Sequence, residues 1–249
     1  MRDYKTEFIK CLDSIDYGKR RFAVFQDFLE ISSISFENAV QMNNDREQRY
    51  FQLIKQYKNP EKFCELLALL SLTLTDNPRD FLGEVYMTTN LGNKSTSQFF
   101  TPYHISELMA EMTMSDDLNK IIEEQGFITV CEPCCGAGGM LIAASEVLKK
   151  RGYNPQEVML FQANDIDINC CRMTYLQTSL LGLSGEVFHQ NTLSFETWYR
   201  FITPMTVFNL GKYQKFKQQN KQIKTEEKTT ERIIENDRKF KIEQLSLFA

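Results

Sequence analysis

The sequence lacks the features of a membrane-spanning or secreted protein. Its 249 residues contain no run of about 18 apolar residues, so we expect no transmembrane helix. The first residues lack the apolar segment of a signal peptide. The seven cysteines are an odd number and include the adjacent pairs Cys134-Cys135 and Cys170-Cys171, which argues against a disulfide framework. Together these absences predict a cytoplasmic protein.

Support for a metal or redox site is also lacking. Cys131 and Cys134 have the spacing of a zinc or redox pair, but a zinc site usually needs a second pair of ligands at similar spacing. Cys170 and Cys171 lie within a helical pattern instead. We therefore expect no bound metal and interpret these cysteines as small apolar residues packed around a turn.

The chain as a whole is not a polycation. Its net charge of -4 gives no argument from composition alone for binding nucleic acid. The charge is uneven, because residues 212–243 contain ten Lys or Arg and six Asp or Glu. Few apolar residues lie in that stretch, so we predict a solvated helix or a linker there.

The most informative segment present is a strand, a glycine-rich turn and a helix. The predicted strand Phe127–Cys131 leads into residues 132–139, Glu-Pro-Cys-Cys-Gly-Ala-Gly-Gly, and the predicted helix Met140–Lys150 follows. Glycines let a ligand approach the main chain closely, and the first N–H groups of the helix add partial positive charge. The turn is neither a P-loop nor a G-x-G-x-x-G turn. Its acidic residue suits a nucleoside ligand with a cationic end, and S-adenosylmethionine fits that description.

The pattern along the chain predicts an α/β fold. Residues 1–95 are predicted to be helical, residues 96–211 to form the ligand-binding domain, and residues 212–249 to form the charged helix or linker. In the middle region short apolar runs alternate with helical patterns, which favours a mostly parallel sheet. The predicted strands are Phe127–Cys131, Val158–Ala163, Glu186–His189 and Met205–Phe208, and the predicted helices between them are Met140–Lys150 and Ile168–Leu181.

Three segments in order carry a resemblance to a known family. They are Asp80-Phe81-Leu82-Gly83-Glu84-Val85-Tyr86, Gln98-Phe99-Phe100-Thr101-Pro102 and Glu132-Pro133-Cys134-Cys135-Gly136-Ala137-Gly138-Gly139. Over roughly residues 20–193 the chain resembles the N-6 adenine DNA methyltransferases, and most nearly the modification subunit of type I restriction-modification systems. The resemblance implies a Rossmann-like methyltransferase sheet behind a helical N-terminal region, S-adenosylmethionine as cofactor, and DNA as substrate.

The resemblance also implies which residues bind the cofactor. Phe99, Phe100, Thr101 and Pro102 would close over its methionine end. The floor of the site would be formed by Glu132, Cys134, Gly136 and Gly138, with Glu132 facing the ammonium group. Asp165 would accept hydrogen bonds from both ribose hydroxyls, and Asn191 would lie near the adenine ring.

Each of these assignments has an alternative from ordinary packing. Phe99 and Phe100 could be core aromatics. Asp165 could cap the next helix, a role compatible with ligand binding. Asn191 could simply shape a turn.

The catalytic tetrapeptide of the family is not present. The family places N-P-P-[FY] at the tip of the fourth strand, where the Asn and a proline carbonyl accept hydrogen bonds from adenine N6 and the aromatic ring stacks on a flipped base. Here the corresponding residues are Asn209-Leu210-Gly211-Lys212. Asn209 is the candidate catalytic residue, at the tip of the predicted strand Met205–Phe208. Without the prolines and the aromatic ring, we predict weak or absent adenine methylation by this chain alone.

The last residues resemble a peptide that docks on the bacterial sliding clamp. Gln244, Leu245, Leu247 and Phe248 belong to the sequence Gln-Leu-Ser-Leu-Phe. Leu247 and Phe248 would fill an apolar pocket while Gln244 bonds at its rim. The alternative is that this apolar end folds back on the core.

Two functions of different classes follow. The first is a DNA adenine methyltransferase that uses S-adenosylmethionine and a partner, such as a specificity subunit, that selects the DNA sequence. The second is a catalytically inactive adaptor recruited to the clamp during replication. Methylation of RNA or protein is a third alternative, which residues 98–102 disfavour.

Overall fold

A computed structural model of the chain describes residues 3–90, 99–114, 117–215 and 218. The N-terminal part is helical, as predicted. Short polar side chains begin several of its helices: Asp3 accepts a hydrogen bond from the Thr6 N–H, and Asn43 from the Arg46 N–H. The helices are α1 (Tyr4–Ile15), α2 (Arg21–Val40), α3 (Asn44–Ile54), α4 (Lys62–Asp76), α5 (Phe81–Asn90), α6 (Tyr103–Thr113) and α7 (Leu118–Gln125).

The remaining elements form an α/β unit around a four-stranded sheet. The order across the sheet is β1-β2-β3-β4, with β1, β2 and β3 parallel and β4 antiparallel to β3. The predicted α/β class is therefore confirmed. The elements are β1 (Ile128–Glu132), α8 (Gly139–Lys150), α9 (Pro155–Val158), β2 (Met159–Asp165), α10 (Ile168–Leu180), β3 (Ser184–Asn191), β4 (Glu196–Ile202) and α11 (Pro204–Phe208).

The fourth strand is where the sequence prediction is wrong. Met205–Phe208, predicted as a strand, belongs to helix α11, which begins at Pro204. Proline suits the first turn of a helix because its fixed φ is already helical and its missing N–H has no partner there. Strand β4, which no sequence pattern predicted, forms a hairpin with β3 and exposes most of its residues.

The helical region shares a buried core with the glycine turn and helix α10. Phe8, Phe28 and Phe81 from the helical region belong to the same buried cluster as Ala137 of the glycine turn and Met173 of α10. Up to residue 209 the described residues form one compact unit. Residues from 210 onward belong to a second unit, of which 210–215 and 218 are described and helical.

Within the described part of the chain, no helix is both long and apolar enough to cross a membrane.

Candidate cofactor site at the carboxyl edge of the sheet

The glycine turn has a backbone that only glycine adopts without strain. Gly136 and Gly138 have φ values of +53° and +91°. A Cβ atom on Gly136 would lie 3.0 Å from the Phe100 ring, and one on Gly138 would lie 3.2 Å from Oγ1 of Thr174. The turn is therefore shaped both by its backbone conformation and by the side chains packed against it.

Two carboxylates meet at this edge of the sheet. Glu132 ends β1 and Asp165 ends β2, and the two strands are parallel neighbours, so both side chains lie at the same edge. Asp165 accepts hydrogen bonds from the N–H groups of Gly136 and Asp167, each at 2.9 Å. Glu132 accepts one from the Cys134 N–H at 3.3 Å. The glycine turn and the second strand are thus joined directly through Asp165.

The electrostatics of this pair favour a positively charged ligand. Burial raises the pKa of Glu132, and the nearby charge of Asp165 raises it further. Burial also raises the pKa of Asp165, while its backbone hydrogen bonds oppose that shift. A cation between the two groups would relieve the repulsion and favour their ionised forms.

The loops after β2 and β3 settle two of the alternatives. Helix α10 is capped by Asp167, which accepts from the Asn169 N–H at 2.8 Å, so the suggestion that Asp165 caps it is wrong. The Asn191 side chain accepts from the N–H groups of Leu193 and Ser194, at 2.9 and 3.2 Å, and therefore does shape a turn.

A further hydrogen bond connects the loop after β3 to the glycine turn. The Thr192 hydroxyl donates to the Pro133 carbonyl at 2.6 Å. The loops that follow β1, β2 and β3 consequently come together, as expected for the ligand edge of a parallel sheet.

The segment from Phe99 to Pro102 is only partly associated with this edge. Phe99 is 84% exposed, whereas Phe100 packs against Gly136 and against Tyr86, with ring centroids 5.2 Å apart. Phe100, Thr101 and Pro102 line a cavity of about 300 Å³, whose described lining includes neither Glu132 nor Asp165. The structure therefore brings Phe100 to the turn and leaves Phe99 in solvent.

A buried polar network, which the sequence analysis missed, supports the turn. The Gln177 Nε2 donates to the Ala137 carbonyl at 2.7 Å and to Oδ1 of Asp80 at 3.0 Å. The Leu82 N–H donates to Oε1 of Gln177, also at 3.0 Å, and the Gly83 N–H donates to Asp80. Asp80 and Gly83 lie in the first of the three family-like segments, but no local pattern relates them to Gln177.

Exposed apolar side chains at the rim were also missed. Ile166 directly follows Asp165 and is 60% exposed, while Leu193 follows the Asn191 turn and is 93% exposed. Apolar residues exposed beside half-buried carboxylates provide a surface suited to a flat, weakly polar ring. The signal was their position one or two residues after the predicted ligand residues Asp165 and Asn191.

Asn209 lies at the opposite edge of the sheet. Its Nδ2 donates to Oγ of Ser184 at 2.7 Å and to the Gln156 carbonyl at 2.9 Å. Ser184 begins β3 and Asn191 ends it, and eight extended residues separate these edges by about 23 Å. The expectation that Asn209 stands at the tip of a fourth strand beside the cofactor is therefore wrong, because residues 205–208 form a helix instead.

Two further predictions concern metal ions and the chain end. Among the described residues, no group of three or more His, Cys, Asp or Glu side chains is placed to hold a metal ion. Cys131 and Cys134 are exposed free thiols. Gln244, Leu245, Leu247 and Phe248 lie outside the described residues.

Comparison with known proteins identifies the family. A family model described as N-6 DNA Methylase matches residues 77–244, more than half of the chain. The chain belongs to the N-6 DNA methylase family. This confirms the predicted family, together with S-adenosylmethionine as its cofactor.

Two curated relatives of this N-6 DNA methylase are type I restriction enzyme methylase subunits. The MpnII subunit of Mycoplasma pneumoniae is 27% identical over 152 residues, which cover 55% of this chain and 26% of the relative. The MjaIX subunit of Methanocaldococcus jannaschii is 23% identical over 114 residues, covering 44% of this chain and 18% of the relative. The chain therefore matches only a minor part of each relative.

One solved structure is similar to this N-6 DNA methylase over much of the chain. It is a Listeria monocytogenes protein assigned to the class I S-adenosylmethionine-dependent methyltransferases, with a TM-score of 0.43 and 15% identity. The alignment covers 78% of this chain and 55% of that protein.

Replacing Gly83 by alanine should destabilise the protein through the network around Gln177. The added Cβ would lie 2.2 Å from Oδ2 of Asp80, so the buried carboxylate would have to move out of its hydrogen bonds. We expect the free energy of unfolding, measured with urea, to fall by about 2 kcal/mol. Gly211→Ala, whose Cβ meets nothing within 4 Å, is the control and should change it by less than about 0.5 kcal/mol. Equal effects of the two variants would contradict this role of Asp80.

Proposed function

We propose that this N-6 DNA methylase family member binds S-adenosylmethionine at the carboxyl edge of its sheet and has weak or absent methyltransferase activity alone. The observation that carries the proposal is the pair Glu132 and Asp165, two half-buried carboxylates with raised pKa values on either side of a glycine turn. When bound, the cofactor supplies an activated methyl group.

The residues present fit the chemistry of this cofactor. Glu132 would face the ammonium group, and Asp165 would accept hydrogen bonds from the two ribose hydroxyls. The positive φ values of Gly136 and Gly138 shape the turn, and Phe100 and Thr174 pack where their side chains would otherwise lie. Ile166 and Leu193 would cover the adenine ring next to Asn191, and Phe100 would border the methionine end.

The described residues offer less for binding and activating a substrate than for binding the cofactor. DNA is the proposed substrate, because both curated relatives are named as restriction enzyme methylase subunits. A specificity subunit is the proposed partner for sequence recognition, for the same reason. Activation of adenine N6 needs groups that accept hydrogen bonds from its amino group. Asn209, the candidate for this role, bonds instead to Ser184 and Gln156 at the opposite edge of the sheet. This supports weak or absent activity by the chain alone.

The position of Asn209, away from the proposed cofactor edge, also favours a second candidate function. A protein that keeps the cofactor edge but holds Asn209 away from it could serve as a catalytically inactive adaptor. The C-terminal peptide with Gln244, Leu245, Leu247 and Phe248 would then recruit it to the bacterial sliding clamp.

Changing Glu132 to glutamine should weaken cofactor binding. The neutral amide keeps the shape of the side chain but loses the charge that faces the ammonium group, so we expect Kd for S-adenosylmethionine to rise at least about tenfold. Isothermal titration calorimetry measures this directly. Glu123→Gln, at an exposed position of α7, is the matched control and should bind as the unmodified protein does.

The affinity for S-adenosylmethionine should change with pH in a defined direction. Because the folded-state pKa of both carboxyl groups is raised, protonation begins at a higher pH than for ordinary carboxyl groups. Only the ionised forms attract the cation, so affinity should fall as pH is lowered through these raised pKa values. The Glu132→Gln variant should show a shallower fall. Affinity that is unchanged or higher at low pH would overturn the assignment of these residues.

Deleting residues 244–249 tests the adaptor function. The intact chain should bind purified bacterial sliding clamp in a surface plasmon resonance assay, and the shortened chain should not, because the apolar anchors are gone. The replacement of Leu247 and Phe248 by alanine should have the same effect as the deletion. Clamp binding that survives these changes, or is absent in the intact chain, would reject this function.

A further inference from the structure

A cavity lies between the helical region and the hairpin formed by β3 and β4. Its volume is about 470 Å³, which is within the range of small-ligand pockets. Helices α2, α3 and α10 and strands β3 and β4 all contribute to its wall. The described lining includes none of Glu132, Asp165 and Asn209, so the cavity is distinct from the proposed cofactor site.

A β-bulge brings Trp198 to this cavity. The residues on either side of it, Thr197 and Tyr199, pair with adjacent residues of β3, so Trp198 is an extra residue in the ladder. Successive residues of a regular strand point to opposite faces of the sheet, yet Trp198 and Tyr199 both line the cavity. The rings of Trp198 and His189 have centroids 4.8 Å apart, and Trp198 is 45% exposed. The bulge therefore gives the cavity an accessible aromatic wall.

A buried hydroxyl group lines the same cavity without a hydrogen-bond partner. Ser33 of α2 is 1% exposed, and its Oγ has no partner among the described residues. The hydroxyl of Ser35, two residues further along α2, donates to the Ile31 carbonyl at 2.9 Å, as helical serines often do. Because an unpaired buried hydroxyl is costly, Ser33 indicates that an atom of a ligand completes its hydrogen bonding.

The charged side chains of the wall leave Arg172 only partly compensated. The Glu30 carboxylate is shared by two arginines, Arg49 at 2.6 Å and Arg172 at 3.3 Å, whereas Arg46 has its own partner, Glu37, at 3.1 Å. Burial lowers the pKa of Arg172, and the charge of Glu30 opposes this shift only in part. An anion beside Arg172 would therefore be stabilising. The charged residues of the described lining, three of each sign, are Glu30, Glu37, Asp45, Arg46, Arg49 and Arg172.

These features match the chemistry of a nucleotide. A base stacks on aromatic rings whatever its identity, and its edge carries atoms that bond to a hydroxyl group. A phosphate is matched by the planar fork of an arginine, which binds two oxygens at once. An aliphatic anion would leave the Trp198 wall unused, and an uncharged ring would leave Arg172 without an anion.

We propose that this cavity binds a nucleotide, whose base contacts Trp198 and bonds to the Ser33 hydroxyl, and whose phosphate pairs with Arg172. The chemistry is the same for a free nucleotide and for one unit of a DNA strand, and the test below separates these two sources. The proposal goes beyond the proposed function, because the cavity is distinct from the cofactor site and does not require a bound cofactor.

Trp198 is the only tryptophan of the chain, so its fluorescence reports directly on the cavity. The full chain is titrated with each deoxynucleoside 5′-monophosphate, and we expect saturable quenching by at least one of them. The corresponding nucleoside, which lacks the phosphate, should bind at least about tenfold more weakly. A trinucleotide of the same base identifies the source: tighter binding than the monophosphate indicates a DNA strand, and equal or weaker binding indicates a free nucleotide.

Matched variants locate the binding. Ser33→Ala should raise Kd for the monophosphate about fivefold, whereas Ser35→Ala, which changes a serine outside the cavity lining, should not. The urea midpoint of Ser33→Ala should be unchanged or higher, because alanine removes an unpaired buried hydroxyl and favours the helix. Arg172→Lys keeps the charge but loses the planar fork, and should raise Kd at least about tenfold.

Four results would overturn the proposal. The first is the absence of saturable quenching by every monophosphate and trinucleotide up to about 1 mM. The second is unchanged binding in both Ser33→Ala and Arg172→Lys. The third is weaker binding by Ser33→Ala together with a lower urea midpoint, because the hydroxyl would then support the fold. The fourth is competitive displacement by S-adenosylmethionine, because the nucleotide would then occupy the cofactor site. Failure of the chain to bind S-adenosylmethionine would leave this proposal intact.

Discussion

The buried side-chain amide of Gln177 joins the helical region to the glycine turn. It accepts from the Leu82 N–H and donates to Asp80 and to the Ala137 carbonyl, and it has no exposed surface. Each buried polar group left without its partner would cost about 1–3 kcal/mol, so the three segments are held to one arrangement. Ala137 lies between Gly136 and Gly138, and through this contact the helical region fixes the turn on which the two carboxylates converge.

The residues proposed to bind the cofactor and the residue proposed to orient the substrate lie at opposite edges of the sheet. The parallel strands β1 and β2 bring Glu132 and Asp165 to one edge, where their raised pKa values favour a cation. No further parallel strand follows β3 within the described residues, since the chain turns back as β4 and then as α11. Asn209 consequently bonds to the amino end of β3. The residues proposed to bind a methyl donor and the residue proposed to orient adenine are not assembled at one edge.

Local sequence signals correctly predicted the three parallel strands and the glycine turn. The glycine turn and the apolar runs ending at Glu132 and Asp165 are each specified by neighbouring residues, and the predicted strands agree with β1, β2 and β3 to within a few residues. Whether residues 205–208 form a strand or a helix depends on tertiary contacts. Met205–Phe208 is too short an apolar run to distinguish strand from helix, and Pro204 together with the bonds of Thr206 to Gly185 favours the helix. β4 was missed because an exposed edge strand carries little hydrophobic alternation.

The Gln177 network could not have been predicted from sequence spacing, since Gln177 and Asp80 are 97 residues apart and meet only in the folded chain. The roles of Asp165 and Asn191 were open for a related reason. Either of two nearby acids could have capped α10, and the choice follows from the backbone geometry after β2 rather than from residue type.

A stoichiometric methyl-transfer assay tests most directly whether the chain has a cofactor site without an adenine-activating site. The purified chain, in excess over duplex DNA of varied sequence, is incubated with tritiated S-adenosylmethionine, and the DNA is hydrolysed and examined for labelled N6-methyladenine. The predicted result is retention of cofactor by the protein, with no labelled N6-methyladenine above the level found without protein. Robust labelling of adenine by this chain alone would contradict the account, because it would require acceptors for the amino group that the geometry around Asn209 does not provide.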